Sequence, residues 1–413
     1  MLTPAFSLTS TERVLPKLAL DFTTGLLDSR VTCTRTTSAS NPATYFASSG
    51  EITLATNNQP RFDYTSASVC KGLLIEESRA NLFLYSVLTK SGSLPNSWSQ
   101  SIPGGTQDTI TSIYGSADGA TAWTQTASSA RPFFIPNGGV TVLANTSYFF
   151  SLYLETNPNN IDVRNIVNYG STPSGTVQWY IDSTAVANTT VPTAPCRVGM
   201  LFTIGATGGL IYPRIGLGGQ TTVTGTIQFS RPQWEAGAFA TSYIPTTTTS
   251  LTRNADVVAM TGTNFSDWYN ATEGTFGYEY LRPSGNAASS GRVFASGVGG
   301  SNSYGVFVLV ATTTQDQIYI RDISGDAVSG VFVSATSGII NKGTISYKVD
   351  DFAWAYNGAS PTTDTSGVVP SQSSELRIGR AINTNGAYLN GHIRKLNYWP
   401  QRLTNNEVRA FSK

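Results

Sequence analysis

Histidine and the carboxylates are the first candidates for acid–base chemistry in this sequence of 413 residues. His392 is the one histidine in the chain, and histidine is the usual base beside a serine or cysteine nucleophile. It lies in Gly391–Ile393, which matches the earlier segment Gly225–Ile227. The matching position holds Thr226, and such a position is more typical of a strand surface than of a catalytic base. The sequence therefore predicts no catalytic histidine.

Carboxylates are the other candidates for catalysis. Glycoside hydrolysis uses two carboxyl groups that face each other across a cleft at about 5–9 Å. Glu76–Glu77 and Asp350–Asp351 are adjacent pairs, and neighbours on a strand point to opposite faces. The other candidates stand singly among strands and turns: Asp162, Asp182, Asp316 and Asp322. We predict neither a catalytic pair nor an enzyme, although carboxylates from distant segments can still meet in the folded chain.

Metal and cofactor motifs are absent from the sequence. It contains no His-Glu-x-x-His and no Cys-x-x-Cys pattern. The three cysteines, Cys33, Cys70 and Cys196, are too widely spaced for a metal site or a disulfide framework. We therefore predict no metal and no cofactor. A calcium site built from scattered Asp side chains and carbonyl groups stays open.

Aromatic residues could bind sugars, since a ring stacks on a pyranose face while amides hold the hydroxyl groups. In "DDFAWAYNG", alternation places Trp354 and Tyr356 on one strand face, and Asn357 follows in a turn. Trp399 lies near the last predicted strand. The alternative is that these rings are core, as rows of aromatic residues usually are. We take Trp354, Tyr356, Asn357 and Trp399 as the candidate ligand-binding residues.

Composition limits the partners of the chain. Lys plus Arg number 26 and Asp plus Glu number 25, so the net charge is near zero. This balance gives no electrostatic case for nucleic acid or an anionic membrane. Residues 1–20 lack a basic stretch followed by an apolar run, which predicts no secretory signal. No segment is apolar for long enough to span a bilayer.

Alternation with period two runs through most of the chain and predicts strands, which turn-rich clusters separate. In residues 148–154, for example, alternate side chains are large and apolar. The clearest helix signal is C-terminal, where Thr404 and Glu407 have the spacing of a capping box. The pattern predicts an all-β protein of jelly-roll or β-sandwich domains with a short C-terminal helix.

One sequence signature occurs twice. Residues 214–227 and 377–393 both read Arg-Ile-Gly, then a polar insert, then Gly-x-Ile. We interpret them as equivalent positions in two domains of similar plan.

Several segments resemble bacteriophage tail or fibre structural proteins. "LALDFTTGLLDSRV" and "GLLIEESRANLFLYS" are similar to the N-terminal module of those proteins. "QWEAGAFATSYIPT" and "TRNADVVAMTG" resemble the junction after their carbohydrate-binding-module-like jelly roll, and "GHIRKLNYWPQRLTNNEVRAFS" resembles the end of a concanavalin A or laminin-G-like sandwich. One departure is Trp234, where the family often has a smaller aliphatic residue.

The resemblance implies three units. Residues 1–95 would be an attachment or oligomerisation module, residues 96–250 a jelly roll and residues 251–413 a second sandwich. It implies a virion component made in the host cytoplasm, assembled with other virion proteins, often as a trimer, and displaying sandwiches that bind host-surface glycans. Two alternatives stay open: a purely structural virion part without sugar affinity, and a glycan depolymerase.

Overall fold

Antiparallel strands dominate the protein, which confirms the all-β prediction. The structure is a computed structural model, and it describes residues 15–65, 67–101, 105–127, 133–136, 139–171, 174–217, 223–283, 291–298, 304–382 and 386–413. The helices are two short 3-10 turns (Phe22–Thr24 and Val163–Asn165), α1 (Thr263–Ser266) and α2 (Asn405–Phe411). No helix in these ranges is long and apolar enough to cross a lipid bilayer.

The strands follow one another along the chain at short intervals. The first group is β1 (Leu18–Asp21), β2 (Thr32–Thr34), β3 (Thr44–Phe46), β4 (Ile52–Leu54), β5 (Phe62–Tyr64), β6 (Cys70–Ile75), β7 (Arg79–Asn81), β8 (Lys90–Ser91) and β9 (Leu94–Pro95). The second is β10 (Trp98–Ser101), β11 (Gly105–Ile110), β12 (Ala122–Ala127), β13 (Phe133–Pro136), β14 (Val140–Val142), β15 (Ser147–Thr156), β16 (Val167–Gly170), β17 (Gly175–Ile181), β18 (Thr184–Val186), β19 (Cys196–Ile204), β20 (Gly209–Ile215) and β21 (Gly225–Ala236). The third is β22 (Leu251–Arg253), β23 (Val257–Thr261), β24 (Glu273–Leu281), β25 (Arg292–Gly297), β26 (Gly305–Val310), β27 (Gln315–Asp322), β28 (Gly325–Ser334), β29 (Ile340–Lys348), β30 (Asp351–Tyr356), β31 (Thr362–Asp364), β32 (Glu375–Ile378) and β33 (Gly391–Trp399).

Strands β10 to β21 form the first sandwich. In the described residues, one sheet has the order β11-β12-β21-β15-β19-β17-β18, and the facing sheet has β10-β13-β20-β14 with β16 also on β20. Trp234 lies fully buried in the core between them. Its ring contacts Phe150 at 6.1 Å and Phe202 at 5.1 Å between ring centroids. Trp234 therefore fills the centre of this sandwich.

The second sandwich draws strands from both ends of the chain. One sheet runs β31-β30-β29-β24-β33-β6-β5 with β1 also on β33, and the other runs β2-β23-β32-β25-β26-β27-β28. Their shared core contains Leu18 and Leu73 from the first group of strands as well as Phe276 and Phe294 from the third.

The strand pairing differs from the sequence-based division at residues 95 and 250. The sequence-based division places residues 1–95 in a separate module. In the structure, β1 and β6 both pair with β33, and β2 pairs with β23. Both partner strands belong to residues 251–413. The period-two pattern indicates which face of a strand is buried, but it does not indicate which other strand pairs with it. The sequence therefore does not reveal this pairing. The attachment role of residues 1–95 stays a prediction, and residues 1–14 of it lie outside the described residues.

The repeated signature marks the same crossover in both sandwiches. The first Arg-Ile-Gly ends β20 and the following Gly-x-Ile opens β21, which belongs to the opposite sheet. The second ends β32, and β33 again opens in the opposite sheet. Both glycines after Arg-Ile have positive φ, +122° at Gly216 and +71° at Gly379, a conformation that favours glycine. Residues 218–222 and 383–385 of the inserts lie outside the described residues.

Candidate functional site

The aromatic residues expected from sequence to bind sugar are interior. Trp354 and Tyr356 are each 5% exposed, and Trp399 is 1% exposed beneath α2. The Tyr356 hydroxyl donates a hydrogen bond to Asp316 Oδ2 at 2.5 Å inside the second sandwich. Asn357 is exposed in a turn, where its Oδ1 accepts the backbone N–H of Lys342. These four residues do not share a surface, and their role in sugar binding stays a prediction that burial of the rings disfavours.

A cavity of about 360 Å³ lies where the two sandwiches meet. Its walls come from β5 and β6, from the β17–β18 hairpin with the start of β19, from the segment after β21, and from β33. The polar lining residues are Asp63, Thr65, Lys71, Glu76, Asp182, Ser183, Arg197, Thr241, Ser242, Asn390 and His392, and the aromatic ones are Phe46, Tyr64, Tyr114, Tyr153 and Phe239. Residues from every part of the chain thus meet in one cavity, which we call the junction cavity.

Asp63 organises one wall of the junction cavity. Its Oδ2 lies 2.9 Å from His392 Nε2 and 3.0 Å from Lys71 Nζ, and its Oδ1 accepts the Phe46 N–H at 2.8 Å. Burial alone would raise the pKa of Asp63, but Lys71 and the hydrogen bond from His392 hold that pKa well below its usual range. The carboxylate is therefore ionised at neutral pH. His392, expected at a strand surface, is instead 7% exposed.

Arg197 belongs to β19 and also lines the junction cavity. Its Nε and Nη2 donate to Ser151 Oγ at 3.2 and 2.9 Å, and its Nη1 donates to the Thr241 carbonyl at 2.5 Å. The guanidinium also lies over the Tyr153 ring, 5.3 Å from the centroid. These contacts use three of the five N–H groups of an arginine. The other two, one on each Nη, have no partner among the described residues, and no described carboxylate forms an ion pair with this guanidinium.

Three aromatic rings pack together at the cavity wall. The centroids of Phe46, Tyr114 and Tyr153 are 5.0–5.9 Å apart with edge-on geometry, which is the favourable arrangement of aromatic quadrupoles. Burial raises the pKa of the Tyr114 hydroxyl well above its usual value and also raises that of the Tyr153 hydroxyl. Both hydroxyls therefore stay protonated at neutral pH and can donate or accept hydrogen bonds.

A buried ion network adjoins the junction cavity through Glu76 and Ser242, which line it. Glu76 accepts the Ser242 N–H and hydroxyl, each at 2.7 Å, and lies 2.8 Å from Arg61 Nη2. Arg61 also pairs with Asp256. Burial would raise the pKa of Glu76, but Arg253 and Arg61 lower it to about 2. Four of these five side chains are at most 4% exposed, so the network fixes the segment after β21 to the end of β6.

The sequence patterns did not point to this site. Nothing in the spacing of Glu76, Asp182 and His392 along the sequence brings the three together. The available signal was indirect: an Asp within the strand "RFDY" and an Arg within "CRVGMLF" are charges inside strand patterns, and buried charges are paired or functional. Among the described residues, no three His, Cys, Asp or Glu side chains are grouped to hold a metal ion.

No protein-family model and no curated protein matches the sequence. Among solved structures, the chain is similar to the CBM40 of a Ruminococcus gnavus IT-sialidase bound to α2,3-sialyllactose, with 11% identity, a TM-score of 0.28, and coverage of 35% of this chain and 84% of that one. A receptor-binding domain matches at 11% identity and a TM-score of 0.27 over 38% of this chain and 39% of its own. Trypanosoma rangeli sialidase, with the inhibitor DANA or with sialic acid, matches at 9% identity and a TM-score of 0.27 over 90% and 89% of this chain.

These likenesses concern the fold alone. This chain spans 62% and 61% of the two sialidase chains. The prediction that the protein is not an enzyme is contradicted by the two structures that match most of the chain, because both are sialidases, and it is withdrawn. At TM-scores of 0.27 the matches assign no activity to this chain.

Proposed function

We propose that this protein binds an acidic carbohydrate in the junction cavity. The observation that carries the proposal is Arg197, whose guanidinium is fixed by Ser151, Thr241 and the Tyr153 ring and keeps two N–H groups without a described partner. A guanidinium fork matches a carboxylate with two parallel hydrogen bonds. Preorganisation by three fixed contacts lowers the entropic cost of that match.

The other lining groups fit a sugar better than an apolar ligand. The volume of about 360 Å³ lies in the usual range of small-molecule sites, about 300–1,000 Å³. Aromatic rings stand beside amide, hydroxyl and carboxylate groups, including Tyr114, Asn390 and Ser183. Rings of this kind pack against C–H faces of a pyranose, and the polar groups bind its hydroxyls.

The biological setting proposed for this binding is a bacteriophage virion, where the protein would attach to host-surface glycans beside other virion proteins, as a trimer. Support comes from the resemblance of the quoted segments to phage tail and fibre proteins. Mass spectrometry of purified virions tests the setting, and light scattering of the isolated protein tests the trimer. Absence from virions would contradict the setting and leave sugar binding in place.

An array of sialylated, uronic-acid and neutral oligosaccharides tests the binding itself. We expect carboxylate-bearing glycans to bind more strongly than lactose, and we expect Arg197→Gln to abolish that preference. Arg164→Gln is the matched control, because Arg164 lies in the same sandwich and, among the described residues, forms its ion pair with Asp162 in a 3-10 turn. Equal binding of neutral and acidic glycans, or unchanged binding by Arg197→Gln, would contradict the proposal.

Glycan hydrolysis is the second candidate function. The observation in its favour is that the junction cavity brings together Asp63, Glu76 and Asp182, which sequence spacing kept apart. Hydrolysis needs two carboxyl groups across the bound sugar, and of the two aspartates Asp182 is exposed whereas Asp63 is buried. Release of reducing ends that Asp182→Asn abolishes, with binding retained, would establish turnover; binding without release would rule this candidate out.

A further inference from the structure

A second surface depression adjoins the junction cavity. It has a volume of about 510 Å³ and is open to solvent. We infer that it binds the next sugar of the same glycan, and that this sugar is neutral, so that the ligand is an acidic unit followed by a neutral one. The inference rests on the proposed function, since it assigns the acidic unit to the junction cavity.

The two sites are continuous. Pro195 lines both of them. Tyr114 lines the junction cavity and its neighbour Ile113 lines the depression. On β15, Tyr153 lines the junction cavity and Glu155 lines the depression. Residues two apart on a strand lie on the same face, about 7 Å from each other along the strand. A glycan leaving the cavity at Pro195 therefore enters the depression within the length of one sugar.

The depression presents apolar side chains to solvent. Ile113 is 51% exposed and Val191 is 43% exposed, and Pro158 and Pro195 are exposed beside them. Large exposed apolar side chains gathered in one depression mark a binding surface more often than a chance arrangement. The C–H face of a pyranose ring packs on such a surface, and the exposed Asn160 amide stands at its edge.

Glu155, the one charged side chain among the described residues that line the depression, already has hydrogen-bond partners. It is 1% exposed and accepts the Ser112 hydroxyl at 2.7 Å and the Ile113 N–H at 2.8 Å. Its Oε1 lies 3.6 Å from Arg231 Nη1. The carboxylate therefore fixes Ile113 and offers no exposed charge. No described lining residue offers a cation to a second carboxylate, which is why the second sugar is neutral.

The loops that carry the depression are fixed before binding. Asn157 Nδ2 donates to the carbonyls of Ile161 at 2.9 Å and Pro192 at 3.2 Å, and its Oδ1 accepts the Ile161 N–H at 2.9 Å. The loop after β15 is thereby tied to the loop before β19. A preformed surface loses little ordering entropy on binding.

Calorimetric titration with defined compounds tests the inference. The probes are N-acetylneuraminic acid, α2,3-sialyllactose, α2,8-linked disialic acid and lactose, with glucuronic acid and the hyaluronan disaccharide as a uronic set. We expect the acidic–neutral compounds to bind about tenfold more tightly than the acidic monosaccharides, a difference of about 1.4 kcal/mol. Disialic acid should gain nothing over the monosaccharide.

Variants assign the gain to the depression. Ile113→Ser with Val191→Ser should remove the tenfold gain and leave monosaccharide affinity unchanged, whereas Leu143→Ser, at a side chain 64% exposed in the same sandwich, should change neither. Three results would overturn the inference: a gain in affinity that survives the double substitution, an equal gain with disialic acid, or no gain in affinity at all. In each case, binding of the acidic monosaccharides would still support the proposed function. Failure of every acidic compound to bind would overturn both.

Discussion

His392 Nε2 lies 2.9 Å from Asp63 Oδ2, although 329 positions separate the two residues in the chain. They belong to β33 and β5, which flank β6 in the sheet. Gly72 of β6 lies opposite Asp63 and has a φ of +120°, and a Cβ there would lie 2.3 Å from the Ile393 carbonyl oxygen. The hydrogen bond thus joins the beginning of the fold to its last strand and fixes one wall of the junction cavity.

Asp63 should make the protein sensitive to acid. Its folded-state pKa lies below the unfolded value of about 3.9, so its stabilisation is fully present above that value and is lost as pH falls towards the folded-state pKa. Asp63→Asn should lower the free energy of unfolding at pH 7 by about 1–3 kcal/mol and flatten its decline in acid. Denaturant titrations from pH 2 to 8 measure both effects.

A double-mutant cycle isolates the pair. Asp63→Asn and His392→Gln should couple by about 0.5–3 kcal/mol, because contacting residues are not additive. If the two substitutions lower the free energy of unfolding additively, and its decline at acidic pH is unchanged, the hydrogen bond contributes nothing to stability.

The buried ion network should be costly to break. Asp256 pairs with both Arg35 and Arg61, and all three side chains are at most 2% exposed. Asp256→Asn leaves buried guanidinium groups uncompensated and should cost about 3–5 kcal/mol. Asp351→Asn, at a side chain 52% exposed beside Arg402, should cost less than about 1 kcal/mol. Equal losses in chemical denaturation would contradict the account of the network.

Trp354 should contribute to the stability of the protein and not to sugar binding. Its side chain lies in the core of the second sandwich, so Trp354→Ala should lower the free energy of unfolding by about 3–5 kcal/mol. Val349→Ala, at a side chain 52% exposed just after β29, should stay within about 0.5 kcal/mol. A Trp354→Ala protein of unchanged stability with lost sugar binding would return Trp354 to the binding site.

The cysteine thiols should be unreactive in the folded protein. Burial raises the pKa of Cys196 to about 12 and that of Cys33 to about 11, and only the thiolate reacts. Labelling with iodoacetamide at pH 8 should be slow in buffer and complete in guanidinium chloride. Rapid labelling of either residue in the native state would contradict its burial.

The local structure could be predicted from sequence, whereas the long-range pairing could not. Thr404 and Glu407 form the capping box expected of α2, since its partners are three residues apart. The Arg-Ile-Gly signature predicted equivalent positions in two domains, and in the structure both positions are crossovers that contain a positive-φ glycine. The pairing of β1 with β33 leaves no trace in the sequence, so the sequence alone predicts a separate module for the first strands.

The junction cavity escaped prediction for the same reason. Tyr153 alternates with core residues of β15 and looks like an outward-facing side chain, yet it is 7% exposed because β3, β4 and the segment around Tyr114 cover that face. Arg197 follows Cys196 at the start of a strand and has no motif around it. A site assembled from single residues of distant strands has no spacing that a sequence could display.

The affinity of Arg197→Gln for an acidic glycan tests the central claim most directly. The glycan that binds most strongly on the array would be titrated calorimetrically into the wild type, Arg197→Gln and Arg164→Gln at the same salt concentration, after denaturant titration has shown that all three proteins are folded. Loss of a charge-assisted contact of about 1.5–3 kcal/mol predicts about 10- to 150-fold weaker binding for Arg197→Gln alone. Equal affinities in all three proteins would contradict carbohydrate binding in the junction cavity.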